Sequence, residues 1–445
     1  MLIQFRVENH RSLRDEHVLS LVAASDKAGA RVLRPEGLGE ALVPVVAIYG
    51  ANASGKSNVL GALEFMRRAV LDSQRRWDVD GTPHEPFLLS EKANEPSLYE
   101  LDFMVSGVRY RYGFRLGAVR VEEEWLFTWP HGRRAMWLER EGDRFEFGKT
   151  LQGENEAIRN LTRPNSLFLS AAAQNNHGLL LPIFRHLTAW QGRRRHVSSG
   201  LSIASTRLIE RGTPEDRGQI IQLIREADTG IVDIRVDLAE PQLPLDLGSE
   251  TLTSSRLVEG TLESTTVFPP VRGFANTFRS SEISFGHRSA TGEPAWLPLS
   301  LQSAGTVALL DLAPHILAAF RDGSLLCIDE LESSLHPTLA LYIVRMFNDP
   351  AQNTKGAQLV FATHDTNLLG SVLGEPALAR DQVWFTEKDE TGATHLYPLT
   401  DFHPRKEENL ERGYLQGRYG AIPFLGDLVD RSGESELQAD GDEDA

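Results

Sequence analysis

The sequence predicts an α/β fold: a mixed sheet core, an antiparallel β-lobe beside it, and an inserted helical lid subdomain. Three observations predict it. Val43–Tyr49 is a short, wholly apolar, β-branched run that ends at Gly50, as a buried strand of a parallel sheet does. Two further apolar runs, Leu325–Ile328 and Leu359–Ala362, also end on polar residues. Met1–Glu8 and Leu98–Leu116 instead alternate apolar and polar residues, the period of antiparallel strands with one wet face.

Taken in order, residues 1–25 read as a strand hairpin. The alternation of Met1–Glu8 excludes the apolar core of a signal peptide. Val43–Tyr49 leads through Gly50 into a helix over Ser57–Val70. Leu98–Leu116 folds back on itself at Ser106-Gly107, a turn pair. From 150 to 235 the pattern becomes amphipathic and helical, including Gly178–Trp190 and Pro214–Ala227. Residues 239–280 are rich in Pro, Ser, Thr and Gly and read as a loop-rich insertion. Strand patterning returns at Ile283–Phe285 and holds to about Leu399. The expected domains are therefore an N-terminal lobe (1–149), an inserted helical and loop-rich subdomain (150–280), a C-terminal lobe (281–400), a docking segment (401–430) and a disordered acidic tail (431–445). No internal repeat and no sustained heptad pattern occurs, which excludes a long coiled-coil arm.

Composition narrows the function classes. The longest apolar runs fall short of a bilayer span, and the single cysteine, Cys327, has no partner for an internal disulfide, so a cytoplasmic location is expected. The formal charge is −16, and six acidic residues with no basic one lie after Arg431. About ten negative charges remain on the body, against the basic balance of a protein that grips duplex DNA by its phosphates. Any DNA contact would have to be local. The candidate is Arg193-Arg194-Arg195-His196 with Arg185 nearby, for which a solvated helix end or loop is the plainer reading.

Four segments carry chemistry. Gly50-Ala-Asn52-Ala53-Ser54-Gly55-Lys56-Ser57 is a glycine-rich loop between strand and helix, whose backbone N–H groups cradle phosphates at the helix's positive end. Lys56 would reach the β- and γ-phosphates of ATP, Asn52 to Gly55 and Asn58 would line the loop, and the Ser57 hydroxyl would bind Mg²⁺. Leu325–Ile328 delivers Asp329 toward the metal, and Glu330 is placed to orient or deprotonate water. His364, at the end of the third apolar run, can hydrogen-bond a γ-phosphate. Ser303-Ala304-Gly305-Thr306 opens a helix over Val307–Phe320 with small residues suited to an anion.

In that order the four resemble the heads of ABC-type ATPases, the group that includes SMC and RecF proteins. The resemblance implies an ABC/SMC-type P-loop ATPase head and assigns Ser303 and Gly305 to the signature motif, Ser334-Leu335-His336 to the D-loop and His364 to the H-switch. It further implies a head-to-head dimer in which Ser303 and Gly305 of one subunit close over the γ-phosphate held by Lys56 of the other. Asn9-His10-Arg11-Ser12 is similar to the Asn-Phe-Arg-Ser element of SMC-type heads, in which the arginine, here Arg11, approaches the phosphates. His10 departs from the aromatic of that pattern. Gln74 and Gln174 both fit the Q-loop by order.

Outside these motifs, Met1–Leu13, Asn165–Ser170, Ala227–Ile231, Gln382–Lys388 and Tyr414–Pro423 resemble RloA and related OLD-like ATPases, including the AriA subunit of the PARIS system. The similarity covers most of 1–425, the 239–280 insertion excepted. It implies the ATP-hydrolysing sensor of a bacterial anti-phage, abortive-infection type system, answering a phage-encoded trigger and controlling a separately encoded TOPRIM-type nuclease. About 80 residues follow His364, too few for a TOPRIM domain in the same chain. A DNA repair or recombination ATPase of the RecF kind is the alternative. The Gly417–Pro423 stretch reads as a docking surface or as a segment packed on its own head.

Overall fold

The computed structural model describes residues 1–25, 31–130, 132–193, 201, 205–206, 209–210, 212–227, 230–238, 253–258, 261–266, 281–290, 292–372, 374–405 and 408–423. The chain divides into two compact units, Met1–His196 with Ala318–Ala445, and Val197–Leu317.

In the first unit, β1 (Leu2–Glu8) and β2 (His17–Ser20) form the expected N-terminal hairpin. They join β4 (Ser97–Val105), β5 (Val108–Leu116), β6 (Val121–Trp129), β7 (Ala135–Glu141) and β8 (Arg144–Phe147) in an antiparallel sheet ordered β2-β1-β4-β5-β6-β7-β8. Ser106 (φ 48°) and Gly107 (φ 76°) are both left-handed, the backbone of a two-residue turn whose twist matches the strands it joins. The other sheet holds β3 (Val45–Gly50), β9 (Gln191–Arg193), β15 (Leu325–Ile328), β16 (Gln358–Ala362), β17 (Val383–Lys388) and β18 (Thr394–Pro398), ordered β18-β17-β3-β16-β15-β9. All its pairings are parallel except β17 with β18. β3 is buried at every residue, as a central parallel strand must be. The result is the expected mixed sheet core with an antiparallel lobe beside it.

The core is continuous from one sheet to the other. Helix α1 (Lys56–Asp72) buries Val59, Leu63, Met66 and Val70, each worth roughly 1.5–3 kcal/mol relative to exposure. The same cluster includes Phe5, Tyr99 and Phe114 of the lobe, Ile48 and Val360 of the mixed sheet, and the helices α2 (Asn155–Leu161), α3 (Phe168–Gln174) and α4 (Leu180–Thr188). Those helices therefore belong to the head, and the expected insertion beginning at 150 is corrected. Their apolar faces are completed by α1 and the lobe.

A buried carboxylate fastens α3. Glu124 of β6 accepts from the Phe168 (2.7 Å) and Leu169 (3.1 Å) amides and from the Tyr112 hydroxyl (2.9 Å), supplying the N-terminal cap that Leu167 lacks. The buried Arg140 guanidinium stands 3.4 Å away.

The second unit is not purely helical. β10 (Ile231–Leu238), β13 (Ser281–His287) and β14 (Ala295–Pro298) form one antiparallel sheet, and β11 (Thr253–Val258) pairs with β12 (Thr261–Thr266) inside the stretch expected to be loop-rich. Helix α5 (Pro214–Glu226) starts with a capping box between Thr213 and Asp216. Helix α6 (Ala304–Asp322) begins here and enters the first unit at Ala318. It is long and apolar enough to cross a membrane, more so than the sequence runs implied. Asp311 and His315 are nonetheless buried on it, where the Ser205 hydroxyl donates to Asp311 O (2.7 Å) and lies 3.2 Å from His315 Nε2. Buried polar partners of this kind mark a core helix.

The C-terminal segment packs on its own head. Helices α7 (Pro337–Asn348) and α8 (Leu410–Leu415) lie in the first unit. Tyr414 of α8 stacks on Phe385 and meets Tyr49 edge-on, and Tyr419 stacks on Phe385. Tyr419 and Ala421 are buried, so the Gly417–Pro423 segment is packed on its own unit through these two residues, while Arg418 stays exposed. Arg194, Arg195, His196 and the 431–445 tail lie outside the described residues.

Candidate nucleotide-binding site

Three parallel strands present their carboxyl ends together, the edge at which open α/β sheets bind ligands. β3 ends at Gly50, β15 at Asp329 and Glu330, and β16 at Thr363 and His364.

The loop after β3 turns through Ala53 (φ 62°) and Gly55 (φ 109°), left-handed residues of the kind that anion-binding backbone nests are built from. Gly55 is the N-cap of α1, without a side-chain cap and with no acidic residue in the first turn. That leaves the helix's positive end suited to an anion. A Cβ at Gly55 would stand 2.1 Å from Thr394 Oγ1, so Gly55→Ala is expected to disrupt the loop, read as a lower thermal midpoint together with lost nucleotide binding.

The loop is braced from beneath. Ser54 Oγ is 2.7 Å from Thr386 Oγ1, and Thr394 Oγ1 donates to Ser54 O (2.9 Å). Ser12 Oγ accepts from Asn58 Nδ2 (2.6 Å) and lies 2.7 Å from Thr394 Oγ1. Thus the 9–13 turn, α1 and β18 converge through Ser12. Arg11 (φ 50°) turns to Glu85, with which it forms an ion pair. Asn52 and Ala53 are exposed at the loop's rim.

Lys56 Nζ donates to Gly50 O (2.8 Å) and Ala51 O (3.0 Å). Burial lowers its pKa to about 8, and Glu332, Asp329 and Glu330 oppose that shift. Ser57 Oγ donates to Asp329 Oδ1 at 3.0 Å. A hydroxyl and a carboxylate at that spacing suit Mg²⁺, which takes one or two protein oxygens and completes its shell with water and phosphate. Among the described residues no group of three or more His, Cys, Asp or Glu could hold a metal. A site of the Mg²⁺–phosphate kind needs none.

His364 follows β16 with its side chain exposed. Desolvation, then the Lys56 charge, lowers its pKa from the usual histidine range, and Glu332, Glu330 and Asp329 oppose that shift. Glu330 (φ 56°) and Ser334 (φ 65°) are strained left-handed residues, a feature that clusters at functional sites. Leu335 is buried, and His336 caps α7 through the Thr338 amide (3.3 Å).

Ser303 and Gly305 lie in the second unit. Ser303 Oγ is exposed and accepts from Thr306 N (3.1 Å) at the start of α6. Gln74 is taken up in the head, its amide donating to Leu161 O (3.2 Å) and accepting from Ser166 Oγ (2.7 Å), whereas Gln174 ends α3 exposed. Sequence reasoning missed Thr386, Thr394 and Glu332. No local signal marks them, because each is defined by a partner distant in the chain.

A protein-family model described as "AAA domain, putative AbiEii toxin, Type IV TA system" matches residues 45–178 and 219–370. The chain belongs to this family. The matched residues include the phosphate loop, Asp329-Glu330 and His364, and membership in this AAA family implies nucleotide binding. No curated protein matches the chain. Among solved structures, it is similar to an SMC head domain from Thermotoga maritima (15% identity, TM-score 0.40, covering 89% of this chain and 98% of that one). An SmcHead bound to the C-winged helix domain of ScpA shows 12% identity and TM-score 0.39, covering 89% and 96%. An Smc head with an extended coiled coil, bound to the C-terminal domain of ScpA and derived from Pyrococcus furiosus, shows 12% and 0.37, covering 94% and 98%.

Proposed function

We propose that the protein is an ATP-hydrolysing switch whose two copies close head to head around ATP. The observation that carries this reading is the Ser57–Asp329 hydrogen bond beside Lys56 and the His364-bearing strand end. In this reading Lys56 binds the β- and γ-phosphates, Ser57 and Asp329 hold Mg²⁺, and the metal supplies charge neutralisation at the phosphates. Glu330 positions a water on the γ-phosphorus and takes its proton as the new P–O bond forms. The bond from that phosphorus to the β,γ-bridging oxygen breaks, and ADP carries away the electron pair. His364 hydrogen-bonds the γ-phosphate, and the partner's copies of Ser303 and Gly305 cap it.

The wider role we infer is a cytoplasmic sensor subunit of an anti-phage system that controls a separately encoded TOPRIM-type nuclease. The family's description, which names an AbiEii toxin and a Type IV TA system, supports a place in a toxin–antitoxin kind of module. The segments similar to RloA narrow it further.

The shared-site reading is tested by mixing two inactive variants. Ser303→Arg should bind MgATP normally and release phosphate about 100-fold more slowly, as loss of a contact made chiefly in the transition state does. Lys56→Ala should not bind. A mixture should regain part of the wild-type rate, because a mixed dimer holds one intact composite site. Mixed dimers that form and remain inactive would sink the shared site. Tight, ATP-dependent binding of duplex DNA at physiological salt would favour the repair alternative.

A further inference from the structure

The turn that follows Asp329-Glu330 is laced to the end of β16 at three points. Leu331 N donates to Ala362 O (3.2 Å), His364 N donates to Glu332 Oε1 (2.7 Å), and Thr363 Oγ1 donates to Glu332 Oε2 (2.7 Å). Two of the three belong to one carboxylate, so both oxygens of Glu332 are engaged by neighbouring residues of the segment that carries His364. The same turn is internally braced, with Ser333 N donating to Glu330 O (2.9 Å) and Leu335 N to Glu332 O (3.0 Å). Glu332 therefore stands at the middle of a rigid bridge. On one side is Glu330, on the other Ser334–His336, and across from it the backbone of His364.

Two residues of this turn, Glu330 and Ser334, are held left-handed on either side of Glu332. Non-glycine residues persist there only when the surroundings over-determine them, and the bonds to Thr363 and His364 are part of what does so. A carboxylate accepting a backbone N–H and a hydroxyl makes stronger, shorter bonds than a neutral acceptor. Moving His364 without moving Glu332 would break a charge-assisted bond. Moving both swings Glu330 and the Ser334–His336 turn together.

We infer that Glu332 is a positioning residue that ties the γ-phosphate-facing His364 to the water-positioning Glu330 and to the Ser334–His336 turn. The inference rests on the ATPase reading above and adds to it the side chain that couples sensing to hydrolysis. Glu332 touches neither nucleotide nor water in this account; it acts through the residues it holds.

The test compares wild type, Glu332→Ala, Glu332→Gln and Thr363→Val in the full-length protein. Fluorescent MgATP titration reads binding, phosphate release gives kcat and KM, and light scattering reads ATP-dependent dimerisation. Assayed about two pH units below the Lys56 pKa, where the ammonium persists without the Glu332 charge that helps to hold it, Glu332→Ala should bind MgATP within about threefold of wild type but lose kcat by about 10- to 100-fold, the scale of a misplaced catalytic group. Glu332→Gln keeps an acceptor for the His364 amide and should recover most of that loss. Thr363→Val, nearly isosteric at a fully buried site, removes one of the two side-chain bonds and should fall between. Thermal midpoints near wild type for Thr363→Val and Glu332→Gln exclude unfolding as the cause. Undiminished kcat in Glu332→Ala, or equal losses in Glu332→Ala and Glu332→Gln, would overturn the inference alone. A wild type that binds MgATP but never releases phosphate would remove the inference together with the function beneath it.

Discussion

Lys56→Ala is expected to weaken MgATP binding by at least about 100-fold, the loss of close to 3 kcal/mol that follows from removing one partner of a buried charge contact. The ammonium sits at the mouth of the phosphate loop, held by the Gly50 and Ala51 carbonyls. Asp329, Glu330 and Glu332 are the negative charges that act on it. Without Lys56 those carboxylates would face a triphosphate with no opposing charge on the loop. The same geometry gives a pH dependence. Burial holds the Lys56 pKa at about 8, below its value in an unfolded chain, so the free site loses its ammonium as pH rises through that region. Affinity should be level below about pH 7.5 and should fall above pH 8 in wild type, and not in Lys56→Ala. The stability consequence has the opposite sign to an ordinary ion pair. Between about pH 8 and the unfolded lysine value, the unfolded chain binds more protons, so stability rises with pH. Lys56→Ala removes a buried charge and should not lower the thermal midpoint on electrostatic grounds. A variant that folds at the wild-type temperature and still binds MgATP tightly would take Lys56 out of the site.

Much of the head was legible because its signals are local. The apolar run into Gly50, the glycines of the phosphate loop, and the carboxylates after Ile328 each announce a strand end within a few residues. The Ser106-Gly107 turn does the same for its hairpin. What was not legible depends on partners far apart in the chain. β6 carries Glu122-Glu123-Glu124, a triplet without strand alternation; one of the three is buried because Arg140, Tyr112 and the start of α3 surround it. The helices of 155–188 look detachable by pattern alone, yet their apolar faces complete a core begun by α1. Thr394 braces Ser54 across 340 residues, and Glu332 acquires meaning only when β16 lies beside β15. Tyr414 and Tyr419 carried the ambiguity of any aromatic near a chain end, settled by the ring of Phe385 on which both stack.

Glu330→Gln should leave MgATP binding intact and slow phosphate release by about 100-fold or more, within the range of 100- to 10,000-fold that a positioned general base contributes. Glutamine fills the same space and keeps an oxygen acceptor, but it cannot take a proton from water at neutral pH. The substitution also preserves what the turn requires of the backbone. Position 330 is left-handed, and glutamine adopts that conformation at a cost similar to glutamate's, so the contrast isolates the carboxylate. Because Ser57, Asp329 and Lys56 are untouched, the triphosphate and its metal remain bound, and a dimer that forms on ATP and opens on hydrolysis should persist. Size exclusion with light scattering should show a lasting ATP-dependent dimer in Glu330→Gln where wild type returns to its starting state. Lys56→Ala should show no such dimer at all. Equal phosphate release from wild type and Glu330→Gln would remove Glu330 from catalysis and shift the water-positioning role elsewhere among the carboxylates that face Lys56. Slow release with no lasting dimer would keep the catalytic role and break the link between the triphosphate and the closed pair.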